Sequence, residues 1–217
     1  MKSKLLLVIG LVMVACGSNT KITGAWTNKE KLENKSFSSV FIAVLSSNTA
    51  AKTLLEDQLG YEAQQAGIKA IKSHNTFRTT FTKESKPSKE ELLSVIRGTN
   101  SETIFTVVLK DQQSETRYVP GTTNYAMGYA PLGYYGYYGS FWGYYNNIYP
   151  YAYDPGYYTT DKVYYLESNL YDANTEELLW SAQSKTYNPS DLDNFVEGYT
   201  SAIIKELVKD GVLKSIK

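Results

Sequence analysis

The sequence predicts a single α/β domain: a mixed sheet in the order strand-helix-strand-helix-strand, an inserted Tyr/Gly-rich loop, an antiparallel hairpin, and a C-terminal helix packed on the sheet. Three observations carry this. Two β-branched apolar runs of strand length, Ser39 to Leu45 and Thr103 to Leu109, are separated by two segments of helical spacing. Two alternating segments, Lys162 to Tyr171 and Leu178 to Thr186, flank a run of turn residues. An amphipathic stripe then closes the chain.

Taken in order, Ser39-Val-Phe-Ile-Ala-Val-Leu45 is apolar without alternation, the pattern of an interior strand covered on both faces. Asn48 or Thr49 can cap a helix in which Ala51, Leu55, Leu59, Ala63 and Ala66 recur, with Gly67 as its stop. Ile68 to Ser73 reads as a second strand. Ser88-Lys-Glu-Glu91 matches a capping box ahead of the apolar Leu92, Leu93 and Ile96, and Gly98 ends that helix. Strand-helix alternation of this kind means crossover connections and parallel strands.

Asp172-Ala-Asn-Thr-Glu-Glu177 is turn chemistry between the last two strand-like segments, which predicts an antiparallel hairpin. Ser190 is expected to cap the final helix, whose stripe is Leu192, Phe195, Val196, Tyr199, Ile203 and Leu207, ending near Gly211. A helix returning after a hairpin covers an open sheet face.

The insertion at 120–160 is the most biased part of the chain. Tyr125 to Tyr158 holds 13 tyrosines and 6 glycines with Asp154 as its only charge, and Pro150 and Pro155 punctuate it, so the expectation is an irregular loop. Its rings offer a candidate binding surface, centred on Tyr134, Tyr135, Tyr137, Tyr138, Phe141, Trp142, Tyr144 and Tyr145. Tyrosine and tryptophan anchor protein interfaces at low entropic cost, stack on sugars, and sit at membrane surfaces. Single-stranded nucleic acid also uses aromatic platforms but needs cations beside them, and no Lys or Arg lies between Arg117 and Lys162.

At the start of the chain Lys2 and Lys4 precede an apolar stretch, Leu5 to Ala15, too short to span a bilayer as a helix. It reads as an export signal. Met13-Val14-Ala15-Cys16-Gly17 resembles the lipobox of bacterial lipoproteins, which implies a signal peptide at 1–15, acylation of Cys16, the only cysteine, and membrane attachment through it. A free signal peptide cut elsewhere and a plain buried cysteine are the competing readings. Met13 stands where the family usually has Leu. Several acyl chains on one residue anchor a protein stably, where a single one does so only marginally. Residues 16–36 are polar and are expected to be a lipidated tether leading to a domain at 37–217; fully extended, about 20 residues reach roughly 70 Å. Gly17 and Ser18 replace the aspartate that resembles an inner-membrane retention signal, so the outer membrane is favoured.

Charge and composition exclude several classes. Of 22 basic and 22 acidic residues the leader holds two lysines, leaving 20 against 22, with no excess of cations to displace counterions from nucleic acid. One histidine, His74, without a second imidazole or free thiolate makes a poor transition-metal site, and an ordinary surface or turn role is expected for it. No serine stands in a nucleophile-elbow or SxxK setting, and Ser46-Ser-Asn-Thr49 lacks the glycines and lysine of a phosphate cradle. Glu176 with Glu177, and Asp191 with Asp193, sit where turns and a helix start stabilise negative charge. Neither an enzyme nor a cofactor is expected.

From Ser39 onward the chain resembles a widespread group of uncharacterised bacterial lipoproteins. The residues that carry the likeness are Val40-Phe-Ile-Ala-Val-Leu45, Glu56-Asp57, Ser88-Lys-Glu-Glu-Leu92, and above all Leu166-Glu-Ser-Asn-Leu-Tyr-Asp172 with Leu179-Trp-Ser-Ala-Gln183. The architecture is more distantly similar to the periplasmic domains of the curli-secretion lipoprotein, the amino-terminal domain of the TolB component, and the lipoprotein activators of peptidoglycan synthases. These resemblances imply a fold and a place in the cell envelope, and no activity. The expected partners are membrane lipid through Cys16 and envelope proteins, without nucleic acid. The alternatives are peptidoglycan or glycan binding or modification, and self-assembly through the tyrosines.

Overall fold

In the computed structural model residues 20–33, 35–77, 86–114, 139–152, 162–187 and 189–214 are described, with backbone alone at 147–152. The strands are β1 (Thr20–Thr27), β2 (Ser39–Leu45), β3 (Lys69–Lys72), β4 (Thr103–Ser114), β5 (Lys162–Asp172) and β6 (Leu178–Tyr187). The helices are α1 (Lys29–Leu32), α2 (Thr49–Gln65), α3 (Ser73–Thr76), α4 (Lys89–Gly98), α5 (Phe141–Ala152) and α6 (Leu192–Lys209). The strands form one mixed sheet in the order β1-β6-β5-β4-β2-β3. β2 pairs parallel with β3 and β4, the strands joined through helices, and the remaining pairings are antiparallel.

Each face of the sheet carries its own core. β2 shows why its sequence is apolar throughout: Val40, Ile42 and Val44 point into one cluster and Phe41, Ala43 and Leu45 into the other. On the first face Leu55 and Leu59 of α2 and Phe195, Tyr199 and Ile203 of α6 pack over Val107, Leu166 and Trp180. On the second, Leu92, Leu93 and Ile96 of α4 and Phe141, Tyr144 and Tyr145 of α5 pack over Ile104, Val108 and Tyr171. Burying a side chain of this size contributes about 1.5–3 kcal/mol, so two covered faces supply a stable core without a disulfide.

The caps read from sequence form, with one exception. The Asn48 side chain accepts from Ala51 N–H at 3.1 Å, and Ser88 and Glu91 exchange both bonds of the capping box. Gly67 takes φ +77° and lets Ile68 N–H return to Ala63 O at 2.8 Å, closing α2. At α6 the cap is Asp191, not Ser190: its carboxylate accepts from Asn194 N–H at 2.8 Å, and the Ser190 hydroxyl donates to it at 3.0 Å. A carboxylate at a helix start also gains from the dipole, which a hydroxyl does not.

Two expectations are corrected. Within the stretch expected as a tether, Thr20–Thr27 is the edge strand β1, antiparallel to β6 and joined to it by the 2.7 Å hydroxyl pair of Thr20 and Thr186. A register shift between Ile22 and Gly24 puts both Ile22 and Ala25 against the first core while Trp26 reaches the second. That bulge breaks the period of two by which a strand is recognised. The second correction is α5, a helix in the segment expected to be an irregular loop.

Candidate functional site

Cys16 and the ring residues Tyr134, Tyr135, Tyr137 and Tyr138 lie outside the described residues. The rest of the candidate surface lies on α5. Ser140 Oγ accepts from Gly143 N–H at 3.0 Å to cap the helix, and Phe141 N–H donates to Glu176 O at 2.8 Å, seating it on the hairpin turn. Phe141, Tyr144 and Tyr145 are at most 1% exposed. Phe141 meets Tyr171 edge-on with centroids 5.6 Å apart, and Tyr144 lies 5.9 Å from the same ring. These three residues therefore form core rather than a contact surface. Their i, i+3, i+4 spacing after a capping serine was the helical signal, hidden by the surrounding tyrosine and glycine.

Trp142 is the exception on that helix. It is half-buried, stacks on Tyr145 at 5.9 Å, and has the Lys86 ammonium 5.3 Å from its ring centroid. Burial pulls the Lys86 pKa below the ordinary lysine value. An indole with a partly desolvated cation is a small, half-buried corner capable of cation–π and stacking contact.

The most polar buried arrangement was not read from sequence. Glu56 projects from α2 toward the end of β2 and is completely buried. Its Oε1 accepts from Val44 N–H at 2.9 Å and from the Ser73 hydroxyl at 2.5 Å. Its Oε2 accepts from His74 N–H at 2.8 Å and from His74 Nδ1 at 2.7 Å. An ionised carboxylate only accepts, so Nδ1 carries a proton and Nε2 faces Asp57 Oδ1 at 3.5 Å. Asp57 in turn pairs with Lys72 at 2.5 Å. His74 is thus no ordinary surface or turn residue; it lies in α3, its side chain 17% exposed, bound to a buried acid. Four donors around Glu56 leave it poorly placed to take a proton from a substrate. The arrangement ties β2, α2 and α3 together. The cue in the sequence was its place directly after Leu55, at the border of the apolar stripe that the helix buries.

A second buried carboxylate lies on the hairpin. Glu167, Asn169 and Ser181 are fully buried on the sheet face opposite Leu166 and Leu170. Glu167 accepts from Asn169 Nδ2 at 3.3 Å and Gln183 Nε2 at 3.4 Å, and Lys110 Nζ approaches it to 3.7 Å. Glu167, Asn169 and Gln183 thus share one polar network on this face, while Ser168 turns to the other and bonds the Tyr199 hydroxyl at 2.6 Å. Among the described residues no group of three or more His, Cys, Asp or Glu is placed to hold a metal, and no helix is long and apolar enough to cross a membrane.

No family model matches the chain, and no curated protein matches it. Among solved structures it is similar to the PelC dodecamer from Paraburkholderia phytofirmans, with TM-score 0.41, 13% identity, and coverage of 87% of this chain and 94% of that one. It is also similar to the lipoprotein GNA1162 from Neisseria meningitidis, with TM-score 0.38, 10% identity, and coverage of 79% and 99%.

Proposed function

We propose that this protein is an envelope lipoprotein, held to a membrane by acylated Cys16, whose α/β domain works by non-covalent contact with other envelope proteins rather than by catalysis. The observation that carries the reading is the leader: a basic start, an apolar stretch of sub-membrane length, and the lipobox-like residues that end at the sole cysteine. The two most buried acids support the non-catalytic part, because Glu56 is ringed by donors and Glu167 is sealed within a sheet face. The contact surface is narrower than the aromatic segment as a whole. Phe141, Tyr144 and Tyr145 are committed to packing, which leaves Trp142 and the ring residues Tyr134, Tyr135, Tyr137 and Tyr138.

Mass spectrometry of the mature amino-terminal peptide, with membrane fractionation, tests the anchor; an unmodified Cys16 in a soluble fraction refutes it. In-cell crosslinking tests the contacts. Deleting 125–158 outright would remove α5 and strip the core over Tyr171, so the informative variant changes Tyr134, Tyr135, Tyr137 and Tyr138 to Ser and adds Trp142→Ala. Retention of every envelope crosslink by that variant refutes the assigned surface.

A further inference from the structure

The chain between the expected lipid attachment and the sheet is short. Thr20 opens β1 and is paired with Thr186, so it stands only four positions after Cys16. Four residues reach at most about 14 Å even when fully extended. The corner of the sheet where β1 begins must therefore lie close to whatever surface holds Cys16.

That corner is built in an unusual way. Lys21 of β1 stands directly opposite Lys185 of β6. Like charges placed opposite one another across two strands repel and destabilise the pair. Neither lysine forms an ion pair with a carboxylate among the described residues. The same cross-strand row continues through Tyr165 to Asp111, which sits two strands beyond Lys185, about 10 Å at ordinary strand spacing. Trp180, Ala182 and the buried Thr186 point to the first core, so Lys185 and Tyr187 point to the other face. Asp191 and Asp193 open α6, which packs on the first-core face, away from the two lysines. Tyr187 is one of three large apolar side chains exposed in the described residues, and the Lys185 ammonium lies 5.0 Å from its ring centroid.

We propose that Lys21, Lys185 and Tyr187 form a docking surface for a phospholipid bilayer bearing anionic headgroups, which fixes the orientation of the domain on its membrane. The inference rests on acylation of Cys16 and adds to it a second, electrostatic attachment. The two lysines, in register on one sheet face with the Lys185 ammonium over the Tyr187 ring, offer cationic side chains to headgroup phosphates, and the tyrosine ring has the amphipathic form found at headgroup depth. A lipid anchor combined with a basic patch holds a protein at a defined angle, where an anchor on a long leash would not. The opposite edge of the sheet, β3, then faces away from the membrane with its exposed Lys69.

The test is a lysine footprint of the full-length mature protein in vesicles of phosphatidylglycerol and phosphatidylcholine, against vesicles of phosphatidylcholine alone. An amine-acetylating reagent is applied and modification at each lysine is read by mass spectrometry. In the anionic vesicles Lys21 and Lys185 should react at least about fivefold more slowly while Lys69 is unchanged, and 0.5 M salt should remove the difference. Equal reactivity of Lys21 and Lys185 in the two vesicle types overturns the docking surface. The same spectra report the Cys16 peptide: an acylated Cys16 with unprotected lysines sinks the docking alone, whereas an unmodified Cys16 sinks the anchor and the docking together.

Discussion

His74 donates twice to Glu56, from its backbone N–H at 2.8 Å and from Nδ1 at 2.7 Å, and so joins the only histidine of the chain to a carboxylate with no exposure to solvent. With Val44 and Ser73 completing the set, the acid spans a strand, a long helix and a short one. Replacing it leaves four donors facing a poorer acceptor. Glu56→Gln should lower unfolding free energy by about 3–5 kcal/mol, the range for breaking a buried charged network. Urea denaturation followed by far-UV circular dichroism measures it, and a loss below about 1 kcal/mol would show the network to be dispensable.

Lys52 lies one turn before Glu56 on the same helix and is 8% exposed. Burial holds its pKa below the ordinary 10.5, with the charge of Glu56 opposing. A base whose folded pKa is depressed binds its proton less tightly than the unfolded chain does. It therefore penalises the fold below that depressed value, and the penalty is relieved as pH climbs from there toward 10.5. Lys52→Met keeps the stem in the apolar pocket beside Phe77 and Leu92 and removes the charge. The variant should be about 1 kcal/mol more stable at neutral pH, with the advantage shrinking in alkali. Urea midpoints of both proteins at pH 7 and pH 10 check the sign.

The aromatic helix should divide by burial rather than by chemistry. Phe141→Ala, in the core against Tyr171, should cost about 3–5 kcal/mol, while Trp142→Ala, half-buried, should cost about 1 kcal/mol. Equal losses at the two positions would contradict the assignment of Trp142 to the accessible side.

Asp191 caps α6, and bonds from Asn194, backbone first and side chain second, hold its carboxyl below the usual range. The stabilisation of an acid with depressed pKa is present above the unfolded value and is lost as pH falls through the folded one. Asp191→Ala should lower Tm by about 2–4 °C at neutral pH. Asp191→Asn, itself a good cap, should keep most of that stability but lose part of the fall seen between pH 5 and pH 2. Calorimetric scans across that interval distinguish the two substitutions.

Local grammar in the sequence was enough to determine the covered strand at Ser39 to Leu45, the capping box at Ser88, the hairpin and the final helix, because each is written in adjacent residues or one helical period. What depends on distant partners could only be decided by the tertiary structure. β1 exists because β6 presents an open edge to it, and its bulge erases the alternation that would have announced it. Phe141, Tyr144 and Tyr145 look like the tyrosines around them until Tyr171, from another strand, supplies the surface they bury against. Glu56 and His74 stand 18 positions apart, and nothing short of the β2–α2–β3 crossover brings the acid and the imidazole into contact. Lys21 and Lys185 become a pair only when the first strand is laid beside the last, a register set by side chains across the whole sheet.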